Sequence, residues 1–246
     1  MSIQSDADRK GLHAAGRVVR LALDAMAARL GPGVTTGELD AVAAHVLAAH
    51  GARSAPALVY GFPRTVLISV NDEVVHGIPG PRRIERGDVV KLDVTVELAG
   101  YMADAARTVV VEGATEQARK LARCAERAFA AALGVATAGR KVREIGRTVE
   151  RVVRDDGFTV IRGLAGHGIG RTIHEPPSVS NHFDPWQQDV LTEGLVLTIE
   201  PIICAGRDAV TEDDDGWTVR TRDGSLAAHH EHTLIITRGQ PALLTA

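Results

Sequence analysis

Five side chains in this sequence carry a charge or a metal-binding lone pair where the chain around them is apolar or glycine-rich. Asp93 sits in Val-Val-Lys-Leu-Asp-Val-Thr-Val, and Asp104 follows eleven residues later, beyond a turn at Leu98-Ala99-Gly100. Glu200 interrupts Leu-Val-Leu-Thr-Ile-Glu-Pro-Ile-Ile, Glu231 opens Glu-His-Thr-Leu-Ile-Ile-Thr, and His167 lies in a glycine-rich turn, Gly-His-Gly-Ile-Gly. An unpaired carboxylate inside an apolar strand is costly, so each of these acids needs a compensating partner. If Asp93 and Asp104 pair directly across a hairpin with loop residues 97–100, their Cβ atoms lie about 4.5–5.5 Å apart on one face. Two carboxylates that close repel unless a cation sits between them or one keeps its proton. Four carboxylates with one imidazole suit two divalent cations, which lie roughly 3.5–4 Å apart in hydrolytic sites. Any one of these residues has an ordinary explanation, such as a solvated acid near a turn; four acids and an imidazole together point to a metal centre.

The elements that must position them can be read from periodicity and punctuation. A helix is expected over 5–30, capped by Ser5 or Asp6 and stopped by Gly31-Pro32-Gly33. A second starts at Thr35, whose spacing to Glu38 is that of a capping box, and ends at Gly51. Strands are expected at 66–70, at 89–97 and 101–111 as a hairpin, and at 158–161, 195–204, 217–221 and 231–237. Between them lie two further helices, about 115–137 and 142–156. Two helix pairs alternating with strand clusters suggest two similar halves within one domain spanning 1–246. The class is α+β, with helices on one face of a mostly antiparallel sheet.

Composition removes other classes. The chain has 246 residues, 45% hydrophobic and 24% charged, enough for a sizeable core. A net charge of −3 gives no overall basic field for nucleic acid or an anionic membrane. Apolar runs fall short of the roughly 18 residues of a membrane span. Met1 to Lys10 carries Asp6, Asp8 and Arg9 where a secretory peptide needs an apolar stretch. Cys124 and Cys204, far apart, form neither a disulfide framework nor a Cys-type zinc site, and a reducing, cytoplasmic setting is expected. Cys124 reads as core, and His13, His45 and His50 as surface or packing residues. The Gly-His-Gly-Ile-Gly stretch is no nucleotide fingerprint, because His174-Glu175-Pro176-Pro177 prevents the helix that should follow. Nor is His174-Glu175 a zincin motif, since Ser178 stands where the second histidine belongs.

The segments SVNDEVVHGIP (69–79), KLDVTVELAGYMADAARTVVV (91–111), GHGIGRTIHEPP (166–177), LTIEP (197–201) and EHTLIIT (231–237) together resemble the type I methionine aminopeptidases, in order and in spacing. The likeness covers nearly the whole chain. It implies a pita-bread fold, two pseudo-symmetric α+β halves around a dinuclear centre, and removal of the initiator methionine when the next residue is small. It also implies roles. Asp93, Asp104, His167, Glu200 and Glu231 would hold two divalent metal ions (Co, Mn, Fe or Zn), Asp104 and Glu231 bridging them, Asp93 holding one, and His167 with Glu200 the other. A water would be the nucleophile and Glu200 its proton acceptor. His174 would contact the substrate's amide carbonyl and His76 the scissile nitrogen. Phe62 and Trp217, with Val59, Leu67 and Ile173, would form the methionine pocket. The implied partner is the N-terminal methionine of nascent peptides near the ribosome exit region, with no specific nucleic acid, no membrane, and a monomeric chain.

Three departures from the family pattern stand out. Leu67 and Val59 occupy positions where many relatives carry Cys and Tyr, which leaves an aliphatic pocket still suited to a thioether. His229 stands where relatives commonly have Gln, two positions before Glu231 and so on its face of a strand. No zinc-finger or Pro-rich N-terminal extension is expected. The rival readings are a proline-directed aminopeptidase of the same fold, usually with a large extra N-terminal domain, and a weakly active or metal-free binding paralogue. The VVHGIP segment favours the methionine enzyme over the first, and retention of all five donors argues against the second.

Overall fold

A computed structural model describes residues 1–246. Helix α1 (Asp6–Arg29) starts where the Ser5 hydroxyl accepts from the Asp8 amide. Its Leu12, Ala15, Val19, Ala22, Leu23 and Met26 recur at helical spacing and are fully buried or nearly so. Helix α2 (Thr36–Ala49) opens on the expected capping box: the Glu38 amide donates to Thr35 Oγ1 at 3.1 Å and the Thr35 amide to Glu38 Oε2 at 2.7 Å. Helix α3 (Ala55–Tyr60), capped by Ser54, was not foreseen, because six residues are too few to establish a helical period. Helices α4 (Glu116–Leu133) and α5 (Arg143–Asp155) complete the second pair, α4 ending four residues before the expected Thr137.

The helices pack on a nine-stranded sheet whose recorded pairings are all antiparallel. At its centre the hairpin Val89–Leu98/Tyr101–Val110 turns through Ala99 and Gly100 alone, at φ 50° and 82°. Positive φ at both turn positions matches the right-handed twist of the flanking strands and sets the register. That register pairs Asp93 with Ala106 and Thr95 with Asp104, not Asp93 with Asp104. The loop is two residues shorter than expected, so the acids are diagonal neighbours on one face, two residues out of direct opposition.

The expected 195–204 strand is two strands, Val196–Ile199 and Ile202–Cys204, which belong to different sheets. Pro201 has no amide to continue the ladder, and the break leaves Glu200 between them. His167 lies on a strand, Ala165–Gly168, and not in a turn; the adjoining glycine is required because a Cβ at Gly168 would collide with the Pro176 carbonyl. Glu175–Ser180 is a further strand beside it.

Two cores of 21 buried residues each give the halves their substance. One joins α1 and α2 to the 89–98 and 101–110 strands; the other joins α4 and α5 to the 196–199 and 231–235 strands. The halves meet where Tyr101–Val110 pairs with Glu231–Ile235, Ala106 opposite Glu231. This is the curved, helix-covered sheet of the pita-bread fold.

Candidate metal centre and substrate pocket

The joint between the halves is where the acids converge. Thr233, fully buried, clamps Asp104 across it: the Asp104 amide donates to Thr233 Oγ1 at 2.8 Å, and that hydroxyl donates to the Asp104 carbonyl at 2.7 Å. Glu231 projects two residues before Thr233, on the same face. Asp93, Asp104, His167, Glu200 and Glu231, drawn from five separate segments, line one cavity of about 380 Å³. Fixed hydrogen bonds orient two of them. Thr198 Oγ1 accepts from the His167 amide at 3.1 Å and donates to Glu200 Oε1 at 2.9 Å. His167 Nδ1 lies 3.0 Å from the Gly168 carbonyl, so that nitrogen carries the proton and Nε2 keeps its lone pair, 3.6 Å from Glu200 Oε1.

The electrostatics match a cation-binding cluster. Burial pushes the Asp104 carboxyl up to about 7. Asp93 is raised well above the usual carboxylate range by burial and then by Asp104 and Glu200. Burial, then Asp104, does the same to Glu200, and Glu231 is raised by burial, Asp104, Glu200 and Asp93. His167 is pushed down to about 4 by burial and by His174. Four acids that resist ionising and an imidazole that resists protonation are what divalent charge would reverse. Asp104 Oδ1 and Glu231 Oε1 are moreover buried without a hydrogen-bond partner. Ligand atoms of Asp104, His167 and Glu231 lie within 4.8 Å of one another, as do those of Glu200, His229 and Glu231. The donor set fits divalent metal ions.

Beside the acids the wall turns apolar. Phe62 and Trp217 meet edge to face with centroids 5.1 Å apart, and Leu67, Val75, Ile173 and Ile202 extend the surface. Asp215 Oδ1 accepts from the Trp217 and Thr218 amides at 2.8 Å each, which holds the turn that presents the indole. Val59, on α3, does not line this cavity; Pro56 and Tyr60 of the same helix do, Tyr60 with 47% of its surface still exposed. His76, at a left-handed φ of 61°, and His174 stand in the lining. A non-glycine residue held there marks a backbone fixed by its surroundings, here next to Gly77, whose amide donates to Ser69 Oγ at 3.0 Å.

Residues that sequence reasoning passed over complete the site. Thr198 and Thr95 share strand faces with Glu200 and Asp93, a period-two signal that could have found them. Tyr60 gave no such signal. Its hydroxyl lies 2.5 Å from His174 Nδ1, across 114 residues of chain. Burial raises the phenol's pKa and lowers that of His174, so a protonated hydroxyl meets a neutral imidazole and one hydrogen bond joins them. Replacing Tyr60 by Phe is expected to lower kcat about 2- to 13-fold, the kinetic equivalent of a hydrogen bond worth roughly 0.5–1.5 kcal/mol. Steady-state kinetics with unchanged kcat would exclude that contact from catalysis.

Fold and cavity define a metallopeptidase. Residues 10–238 match metallopeptidase family M24, and the chain belongs to that family. It is 42% identical over 247 residues to the methionine aminopeptidase 2 of Bacillus subtilis, covering 100% of this chain and 99% of that one. The methionine aminopeptidase of Clostridium perfringens is 40% identical over 94% of this chain and 93% of its own. The crystal structure of the Rickettsia prowazekii methionine aminopeptidase superposes with a TM-score of 0.95 at 34% identity, all of both chains being covered. The prolidase of Pyrococcus horikoshii shares the fold at a TM-score of 0.79 and 24% identity, and this chain spans 63% of it.

Proposed function

We propose that this protein is a methionine aminopeptidase, a single metallo-hydrolase unit over 1–246 that removes the initiator methionine when the second residue is small. The reading rests on five donors and the Phe62–Trp217 wall lining one cavity. Two divalent cations would be held by Asp93, Asp104, His167, Glu200 and Glu231, with Asp104 and Glu231 shared. When bound, such cations polarise a carbonyl and make water acidic enough to ionise near neutral pH. The chain's own groups do the rest. Phe62, Trp217 and Leu67 take the thioether side chain, which adapts to an aliphatic and aromatic surface. His174 Nε2–H donates to the scissile carbonyl oxygen as charge builds on it. His76 hydrogen-bonds the scissile nitrogen. Glu200, with Oε1 held by Thr198, accepts the proton of the attacking water and passes it to the departing amine.

Its setting on this reading is the cytoplasm, where a monomer meets nascent chains at the ribosome exit region. Cys124 and Cys204 are both free and buried, which suits a reducing compartment. No helix is long and apolar enough to cross a membrane.

The test is peptide hydrolysis by the metal-loaded protein, with bound metal measured on the same sample. Met-Ala-Ser is expected to release methionine, and a bulky second residue to slow the reaction strongly. Preferred hydrolysis of Xaa-Pro peptides with any first residue would move the protein to the proline-directed group. Bound metal without cleavage of either peptide would make it an inactive paralogue.

A further inference from the structure

We propose that His229 is itself a metal ligand, so that the centre offers two imidazoles to its cations instead of one. The inference rests on the metal-centre reading above and adds a donor to it. His229 ends the strand Ala227–His229, opposite Ile202, and its ring lines the same cavity as the five donors. Its backbone cannot swing away. Thr108 Oγ1 donates to the His229 carbonyl at 2.7 Å and accepts from the His229 amide at 2.9 Å. The residue is 2% exposed, and neither ring nitrogen has a hydrogen-bond partner. A buried imidazole without partners is an expensive arrangement unless something binds it.

The distances say what. His229 Nε2 lies 3.5 Å from Glu231 Oε2 and 3.8 Å from Glu200 Oε2. Both exceed the usual range for an N–H···O bond. They approach the separation of two donors on one tetrahedral cation, which bonds of about 2.0–2.2 Å place about 3.3–3.6 Å apart. His167 Nε2 and Glu200 Oε1, at 3.6 Å, stand in the same relation. Glu200 therefore has one oxygen turned to each imidazole, and with Glu231 and His229 it would hold a cation on the Oε2 side. Unlike His167, His229 has no acceptor for Nδ1, so no outer partner raises the basicity of its ring.

A second nitrogen donor should shift ion preference. Imidazole suits Zn, Fe, Co and Ni, whereas carboxylate-rich sites suit Mn and Mg. His229→Gln, which retains a polar side chain of related length, is expected to lower Zn(II) affinity by roughly 10-fold or more and Mn(II) affinity by less. Competition against a chelator measures both. Direct ligation is read from the proton NMR spectrum of the Co(II)-loaded protein with 15N-labelled histidine, in which only a coordinated ring is shifted far outside the diamagnetic range. Two shifted imidazoles are expected in the wild-type protein, with one of them missing in His229→Gln. A single shifted imidazole in the wild-type protein would overturn the proposal and leave the five-donor centre standing. That count needs no variant to fold. No shifted imidazole, with no Co(II) bound, would overturn the centre and the sixth ligand together.

Discussion

Asp104→Asn is expected to lose metal and turnover together, with kcat falling by at least the roughly 10²–10³-fold that loss of one aimed electrostatic group costs. Asp104 lies at the joint of the halves, 6% exposed, with Oδ1 free of any hydrogen bond. An amide offers one neutral oxygen where two anionic ones are needed, and it turns an NH₂ group toward the cations. The backbone should hold, because Thr233 grips the Asp104 amide and carbonyl, not its side chain. Folding and metal loading can therefore be separated. Without metal, burial pushes the Asp104 carboxyl up to about 7 from an ordinary 3.8. Unfolding lets it ionise, so its contribution to stability is present at low pH and is lost progressively as pH rises from about 4 to about 7. The Asn variant lacks Asp104's share of that slope, while the shares of Asp93, Glu200 and Glu231 remain, and in chelator at pH 8 it should melt no lower than the wild-type protein. Two bound metals with full activity in Asp104→Asn would remove the residue from the centre.

His174→Ala is expected to lower kcat by roughly 10²–10³-fold, as the loss of one transition-state donor does, with bound metal unchanged. The ring stands over His167 at 4.2 Å between centroids, edge to face, and Tyr60 occupies its Nδ1. On the proposed mechanism Nε2 is thus the ring nitrogen left for substrate. If ground-state binding depended on it equally, KM would rise while kcat held. The expected pattern is the reverse, since the hydrogen bond strengthens as the carbonyl oxygen gains charge. Loss of metal in this variant would instead make His174 a ligand.

The two variants differ in what a reader of the sequence alone could have anticipated. Asp93, Asp104, Glu200 and Glu231 stand out because each is a charge in a strand whose other residues are apolar, a placement that demands compensation. The capping box at Thr35 and Glu38 and the helix pairs are legible for a similar reason: their bonds and periods are local. The contact between Tyr60 and His174 is not, because nothing within a few residues of either requires it.

Residue type and local spacing therefore decided which groups need a partner, where helices begin, and which residues of a strand share a face. They did not decide the hairpin register, which a two-residue turn shifted so that Asp93 faces Ala106. Nor did they reveal that Pro201 would break one strand into two and leave Glu200 at the break, or that α3 would bring Tyr60 and not Val59 to the cavity. His229 is the sharpest case. Period two placed it on the face of Glu231 but not that face toward the cavity, and it lies on a separate strand from Glu231. Inward orientation, and the 3.5–3.8 Å approach to two carboxylates, arise only when the 227–229 strand pairs with Ile202–Cys204, beside the break that holds Glu200. Alternation along one strand carries no information about what another segment brings to meet it, and the metal centre is built wholly from such meetings.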